Sequence, residues 1–177
     1  MNACILTIGD ELLQGFTIDT NSKWLAQILL PYDVHIEKII TVGDAHGTII
    51  KESHNILNEH YDFLFVTGGL GPTHDDITKN AFCELLSDEI FFDEKYYSKL
   101  KKKFERTLTQ IPKINKSQAM LLKNADQIPN SLGSALGMHY FEKNTHIFIM
   151  PGVPEEMQEI VKNYIIPNYM KNKPNKR

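Results

Sequence analysis

A chain of 177 residues, 42% hydrophobic and 23% charged, has the length of a single domain and the composition of a folded globular protein, which excludes two full domains and wholesale disorder. Nineteen Lys and Arg against 22 Asp and Glu leave a formal charge of −3, so no nucleic-acid partner is expected from the overall field. The longest apolar runs, such as residues 63–66, are far too short to span a bilayer, and residues 1–8 lack a positive leader region; a cytoplasmic protein with no membrane partner is predicted.

Short β-branched or aromatic runs alternate with longer segments of helical period, the pattern of a mostly parallel sheet covered by helices. In chain order, strands are predicted at 4–8, 34–42, 62–67 and 145–150. A strand at 135–142 would pair with the last of these through a turn at Lys143 and Asn144, making an antiparallel edge hairpin. Helices are predicted at 20–30, 46–60, 76–86, 93–109 and 154–165. The first carries Trp24, Leu25, Ile28 and Leu29 on one face behind an Asp19 or Thr20 cap and stops at Pro31. Lys101, Lys102 and Lys103 read as a solvated face, and residues 171–177 as a basic tail after one domain over residues 1–170. Cys4 and Cys83 have no partner at zinc-ligand or redox spacing and read as buried reduced thiols.

Glycine and acid recur directly after the strands: Gly9-Asp10-Glu11, Gly43-Asp44, Gly68-Gly69-Leu70-Gly71-Pro72-Thr73-His74-Asp75-Asp76, and Pro151-Gly152-Val153-Pro154-Glu155-Glu156. In an open parallel sheet the carboxyl ends of the strands share one edge, and ligands bind in the crevice outside it. The loop from Gly68 opens into a helix, so its backbone N–H groups and the helix dipole suit a phosphate, with Thr73 adding a hydroxyl donor. It has neither Walker nor dinucleotide-fold glycine order, and a tight strand-to-helix turn would also account for its glycines.

Asp75 or Asp76 could simply cap that helix, and Asp75 could pair with Lys79. A second acid beside a phosphate loop would repel the ligand unless a cation lies between them, which points to a hard divalent ion. Asp10, Glu11, Asp44, Glu155 and Glu156 could supply further oxygens, although acids at 155 and 156 also suit the first turn of a helix. Such an ion would polarise a phosphoryl oxygen while Asp76 positions or deprotonates water, giving phosphoanhydride cleavage or nucleotidyl transfer. Of seven histidines only His74 falls in a candidate loop, and Ser22, Ser117 and Ser134 sit in no nucleophile elbow.

The runs Gly9-Asp10-Glu11-Leu12-Leu13-Gln14-Gly15, Asp19-Thr20-Asn21-Ser22, Thr41-Val42-Gly43-Asp44 and 67–78 resemble the molybdopterin-binding MoaB/Mog superfamily, specifically its CinA-like branch. The resemblance continues through Asn115, Gln118-Ala119, residues 130–137 and Pro151 to Met157, and so covers the chain from Ile5 to about Ile166. It implies a three-layer α/β/α sandwich and a homo-oligomer, dimer or trimer. It also implies a small-molecule partner, a nucleotide or pterin phosphate, and a divalent cofactor, Mg²⁺, Mn²⁺ or Co²⁺. By similarity Gly68, Gly69, Gly71 and Thr73 would hold phosphate, Asp75 and Asp76 would be the functional acids, and Asp10, Glu11, Asp19, Asn21 and Asp44 would line the same crevice. Gly152 is added as a binding position from its place in the last of these loops. Ala45 stands where the family usually has a second acid, and Gly133-Ser134-Ala135-Leu136-Gly137 replaces its usual G-T-A-P-G.

The activity expected from this resemblance is metal-dependent hydrolysis of ADP-ribose or a similar dinucleotide. The alternatives are molybdopterin binding, molybdopterin adenylylation, and a non-catalytic nucleotide or pterin module.

Overall fold

In a computed structural model describing residues 1–71, 77–105 and 113–170, the chain builds one six-stranded sheet and one two-stranded sheet. Strand β1 (Asn2–Ile8) is followed by the single turn α1 (Asp10–Leu13), α2 (Thr20–Leu29), β2 (His35–Val42), α3 (His46–Asn58) and β3 (Phe63–Thr67). Then come α4 (Ile77–Leu85), β4 (Ile90–Phe92), α5 (Glu94–Glu105), β5 (Met120–Leu122) and β6 (Asp126–Ile128). The hairpin β7 (Gly137–Glu142) and β8 (Thr145–Met150), then α6 (Pro154–Ile160) and α7 (Ile166–Tyr169), complete the described chain. The main sheet runs β2-β1-β3-β8-β7-β6, parallel across β2, β1, β3 and β8 and antiparallel at β7 and β6.

Side-chain alternation explains the three layers. β1 sends Ala3 and Ile5 to one face and Cys4, Leu6 and Ile8 to the other. β3 divides Phe63 and Phe65 from Leu64 and Val66, and β8 divides Phe148 and Met150 from Ile147 and Ile149. Leu25 and Leu29 of α2 and Met157 and Ile160 of α6 cover the first face; Ile49 and Ile56 of α3 and Phe82 of α4 cover the second. Both faces of β1, β3 and β8 are thus apolar, whereas the edge strand β2 leaves His35, Glu37 and Lys38 exposed.

The predicted strands and helices all occur, with ends shifted by a few residues. Asp19 caps α2 by accepting from the Ser22 amide at 2.9 Å, and Leu30–Tyr32, which contains Pro31, forms a short 3-10 turn after it. Lys143 and Asn144 take φ of 50° and 64°, the left-handed pair that a two-residue hairpin turn needs. The strands β4, β5 and β6 went unpredicted, because three residues leave no room for an alternating pattern. The predicted helix 154–165 is interrupted by a wide π turn at Val161–Ile165 and continues as α7. Lys101, Lys102 and Lys103 are exposed as expected, and Lys103 in addition donates Nζ to Ser131 O at 2.9 Å and Gly133 O at 2.7 Å. Residue 76, predicted to begin α4, the helix end at 106–109 and the tail 171–177 lie outside the described residues.

Candidate functional site

The carboxyl ends of β1, β2, β3 and β8 open on one edge of the sheet. There Gly9, Asp10 and Glu11, then Asp44, then Gly68 to Gly71, then Pro151 to Pro154 with Glu156, line a crevice of about 760 Å³. Residues from Thr17 to Asn21 form its lip, and Ser134 and Ala135 its far wall. The volume falls within the range of small-molecule sites.

The floor is glycine by steric necessity. Gly68 closes β3 by donating its N–H to Met150 O at 3.1 Å, then turns with φ 104°, and Gly69 follows with φ 66°. A Cβ on Gly68 would strike the Ile8 carbonyl and one on Gly69 would strike Thr78 Oγ1. The wholly buried Thr78 donates its hydroxyl to Gly68 O at 3.0 Å, and Gln118 Nε2 donates to Leu70 O at 3.3 Å. These contacts hold the loop open along the floor. Gly152 packs so close that a Cβ there would lie 3.2 Å from Gly68 Cα.

Acids flank this floor on both sides. On the β1–β2 side, Asp10 N donates to Asp44 Oδ2 and Asp44 N donates to Asp10 Oδ1, each at 3.1 Å. Each carboxylate keeps one oxygen outside this exchange. Glu11 is exposed and folds its carboxylate over Gly9. On the β8 side, Glu156 accepts from Asn130 Nδ2 at 2.6 Å and rests against Gly133. No Lys, Arg or His is among the described lining residues.

Asp19 reaches the crevice but spends its carboxylate on α2, where both the Ser22 amide and hydroxyl donate to it. Asn21 is 8% exposed and donates Nδ2 to Gly152 O at 2.8 Å, tying α2 to the loop after β8; its Oδ1 is buried with no hydrogen-bond partner among the described residues. Gly68, Gly69, Gly71, Asp19, Asn21, Gly152, Asp10, Glu11, Asp44 and Glu156 are therefore brought to one crevice. Glu155 is exposed and does not line it, because the next position on a helix is rotated by about 100°. Thr73, Asp75 and Asp76 lie outside the described residues. Among the described residues, no three His, Cys, Asp or Glu side chains converge as a metal cluster. Asp10 and Asp44 still offer hard oxygens of the kind Mg²⁺ takes when ligand phosphates and water complete its shell.

Thr78, Gln118 and Asn130 were missed as site residues. The Gln118-Ala119 and 130–137 runs were the available signal, but their contacts reach across 48 and 26 residues and carry no local period.

The family described as "Probable molybdopterin binding domain" matches residues 4–171. A CinA-like protein of Flavobacterium psychrophilum is 36% identical over 171 residues, covering 94% of this chain and 40% of its own length. A protein of Pyrococcus furiosus is 37% identical, covering 94% of this chain and 69% of its own. The chain thus spans about two fifths of the bacterial relative and about two thirds of the archaeal one. The crystal structure of CinA from Thermoplasma acidophilum superposes with a TM-score of 0.80 at 28% identity, over 91% of this chain and 94% of that one. The molybdopterin biosynthesis enzyme MoaB of Thermus thermophilus shares the fold, with a TM-score of 0.61 at 21% identity over 91% and 87%. Its matched domain, its relatives and its sheet order together make this chain a member of the molybdopterin-binding domain family, of the CinA-like MoaB/Mog type.

Proposed function

We propose that the chain binds a phosphorylated pterin or a nucleotide in the crevice, with phosphate or pyrophosphate over Gly68 to Gly71. The observation that carries this reading is the floor itself, where two consecutive left-handed glycines present backbone to the crevice and no side chain fits. The lining supplies both kinds of surface such a ligand needs. Leu12, Ile18, Val153 and Ala135 are apolar and suit a flat ring, while carboxylates flank the phosphate position. The family's description, molybdopterin binding, favours a pterin as the ring.

A second reading, metal-dependent cleavage of ADP-ribose or a related pyrophosphate to AMP and a sugar phosphate, is favoured by the Asp10–Asp44 pair. Two carboxylates fixed by each other's amides would hold a divalent ion beside the phosphates, and that ion would supply charge neutralisation. The test is thermal unfolding with molybdopterin, FAD and ADP-ribose, each with and without Mg²⁺ or Mn²⁺, followed by chromatography of the ligand. A ligand at about 100 times its Kd should add about 2.7 kcal/mol, or roughly 5 °C or more. A shift with intact ligand supports binding alone, and metal-dependent AMP supports the second reading. No shift with any ligand would remove both.

A further inference from the structure

Asn130 uses its amide completely. Nδ2 donates to Ala135 O at 2.8 Å and to Glu156 Oε2 at 2.6 Å, while Oδ1 accepts from the Leu132 and Gly133 amides at 3.1 and 2.8 Å. Two donors and two acceptors are all an asparagine has, so the orientation of the amide is fixed by chemistry. The residue is 9% exposed. The loop it organises is pinned from outside as well: Lys103 Nζ donates to Ser131 O and Gly133 O, and Tyr96 OH donates to Ser134 O at 2.8 Å. Gly133 lies so near the Glu156 carboxylate that any Cβ there would occupy the place of its oxygens. Burial, and then the negative charge of Glu156, push the Tyr96 phenol up to about 12.

Glu156, which lines the crevice, is thus a carboxylate held through Oε2. Its place along the sheet edge decides what it can meet. β8 lies two strands from β1 and three from β2, which separates the ends of those strands by about 10–14 Å across the glycine floor. Among the described residues Glu156 does not join Asp10 and Asp44 in a group that could hold one ion. Facing a bare phosphate it would repel; facing an N–H or O–H donor it would attract.

We infer that Asn130 is a positioning residue that fixes Glu156 as a hydrogen-bond acceptor for the non-phosphate part of the ligand, a ribose diol or an amino-bearing ring edge, on the β8 side of the floor. This rests on the phosphate reading of Gly68 to Gly71. It divides the crevice into a floor for phosphate and a wall that reads donors, and it makes Glu156 a specificity residue.

The experiment is calorimetric titration with two probes, ADP-ribose and inorganic pyrophosphate, both with Mg²⁺; the second has no hydroxyl-bearing carbon and no amino group. Glu156→Gln should weaken ADP-ribose about tenfold and leave pyrophosphate unchanged or tighter. Gly133→Ala displaces only the end of a flexible side chain, so it should fold normally and copy that loss. Asn130→Asp, which keeps the acceptor for Leu132 and Gly133 but loses the donors to Glu156 and Ala135 O and sets a second carboxylate beside Glu156, should do the same. In the Glu156→Gln background neither second change should weaken ADP-ribose further, whereas a merely structural role would add to the loss. Equal losses for both probes, unchanged ADP-ribose affinity, or additive double variants would overturn the inference while the floor reading stands. A wild-type protein that binds neither probe would overturn the inference together with the nucleotide reading, while the pterin reading is judged by the unfolding test.

Discussion

Asp10 and Asp44, 34 residues apart, cap each other: each carboxylate accepts the other's backbone N–H at 3.1 Å. The exchange fixes the loops after β1 and β2 against one another and takes up one oxygen of each aspartate, both residues lining the crevice. Asp10→Asn retains the oxygen that Asp44 N needs and removes the charge. The variant should melt within a few degrees of wild type and bind Mn²⁺ about tenfold more weakly by calorimetry. Unchanged Mn²⁺ affinity would take the cation away from this pair.

Glycines in this chain are not equivalent. Gly68→Ala would drive a Cβ into the Ile8 carbonyl at a φ of 104°, and should cost about 3 kcal/mol or more in a denaturant melt. Gly47, in the first turn of α3, has open space around a new Cβ. Gly47→Ala should be neutral or stabilising by up to about 1 kcal/mol. Equal effects at the two positions would contradict the steric account of the floor.

On the antiparallel side of the sheet, among residues that do not line the crevice, His139 Nε2 meets His146 Nδ1 at 3.0 Å while His139 Nδ1 faces Asp126 Oδ2 at 3.3 Å and Tyr169 OH at 3.1 Å. The rings stack on Phe148 and, for His146, on Phe63. Burial lowers the pKa of both histidines; Asp126 opposes this for His139, and the His139 charge adds to it for His146. A histidine with a lowered folded pKa binds its proton more readily when unfolded. Its contribution is complete above the unfolded value near 6.5 and is lost as pH falls through the folded value. The melting temperature should therefore drop from pH 7 towards pH 5, and His146→Phe should make the drop shallower. A pH-independent midpoint over that range would contradict the assignment.

The Cys4 thiol is wholly buried, and burial pushes it up to about 12, with Lys38 and Glu59 making smaller opposed contributions. Thiolate is the reactive form. An aromatic disulfide reagent at pH 8 should titrate no more than one thiol, Cys83, in the native protein and both after denaturation. Rapid native labelling of Cys4 would show that β1 opens.

The sheet was legible in the sequence because buried parallel strands such as Phe63–Thr67 are continuous apolar runs ended by glycine, and because Lys143-Asn144 between two such runs marks a hairpin. The crevice was legible for a related reason: glycine and acid repeat after each parallel strand, and topology gathers those ends on one edge. What escaped the sequence depends on tertiary contact. Asn130 meets Glu156 only after β7, β8 and the first turn of α6 are in place, and nothing in the spacing of 26 residues announces it. Asp19 carried both readings in the sequence, a cap for α2 and a crevice residue, and the structure gives it both. Glu155 and Glu156 look alike in sequence; the helix turn alone separates the one that faces the crevice from the one that faces solvent.

The central claim, that phosphate rests on the glycine floor, is tested most directly by amide NMR of protein labelled with nitrogen-15 at its ten glycines. On titration with ADP-ribose and Mg²⁺, the Gly68, Gly69 and Gly71 resonances should shift together to saturation, while Gly15 and Gly47, outside the crevice, stay in place. Saturable binding that leaves those three amides unmoved would contradict the account.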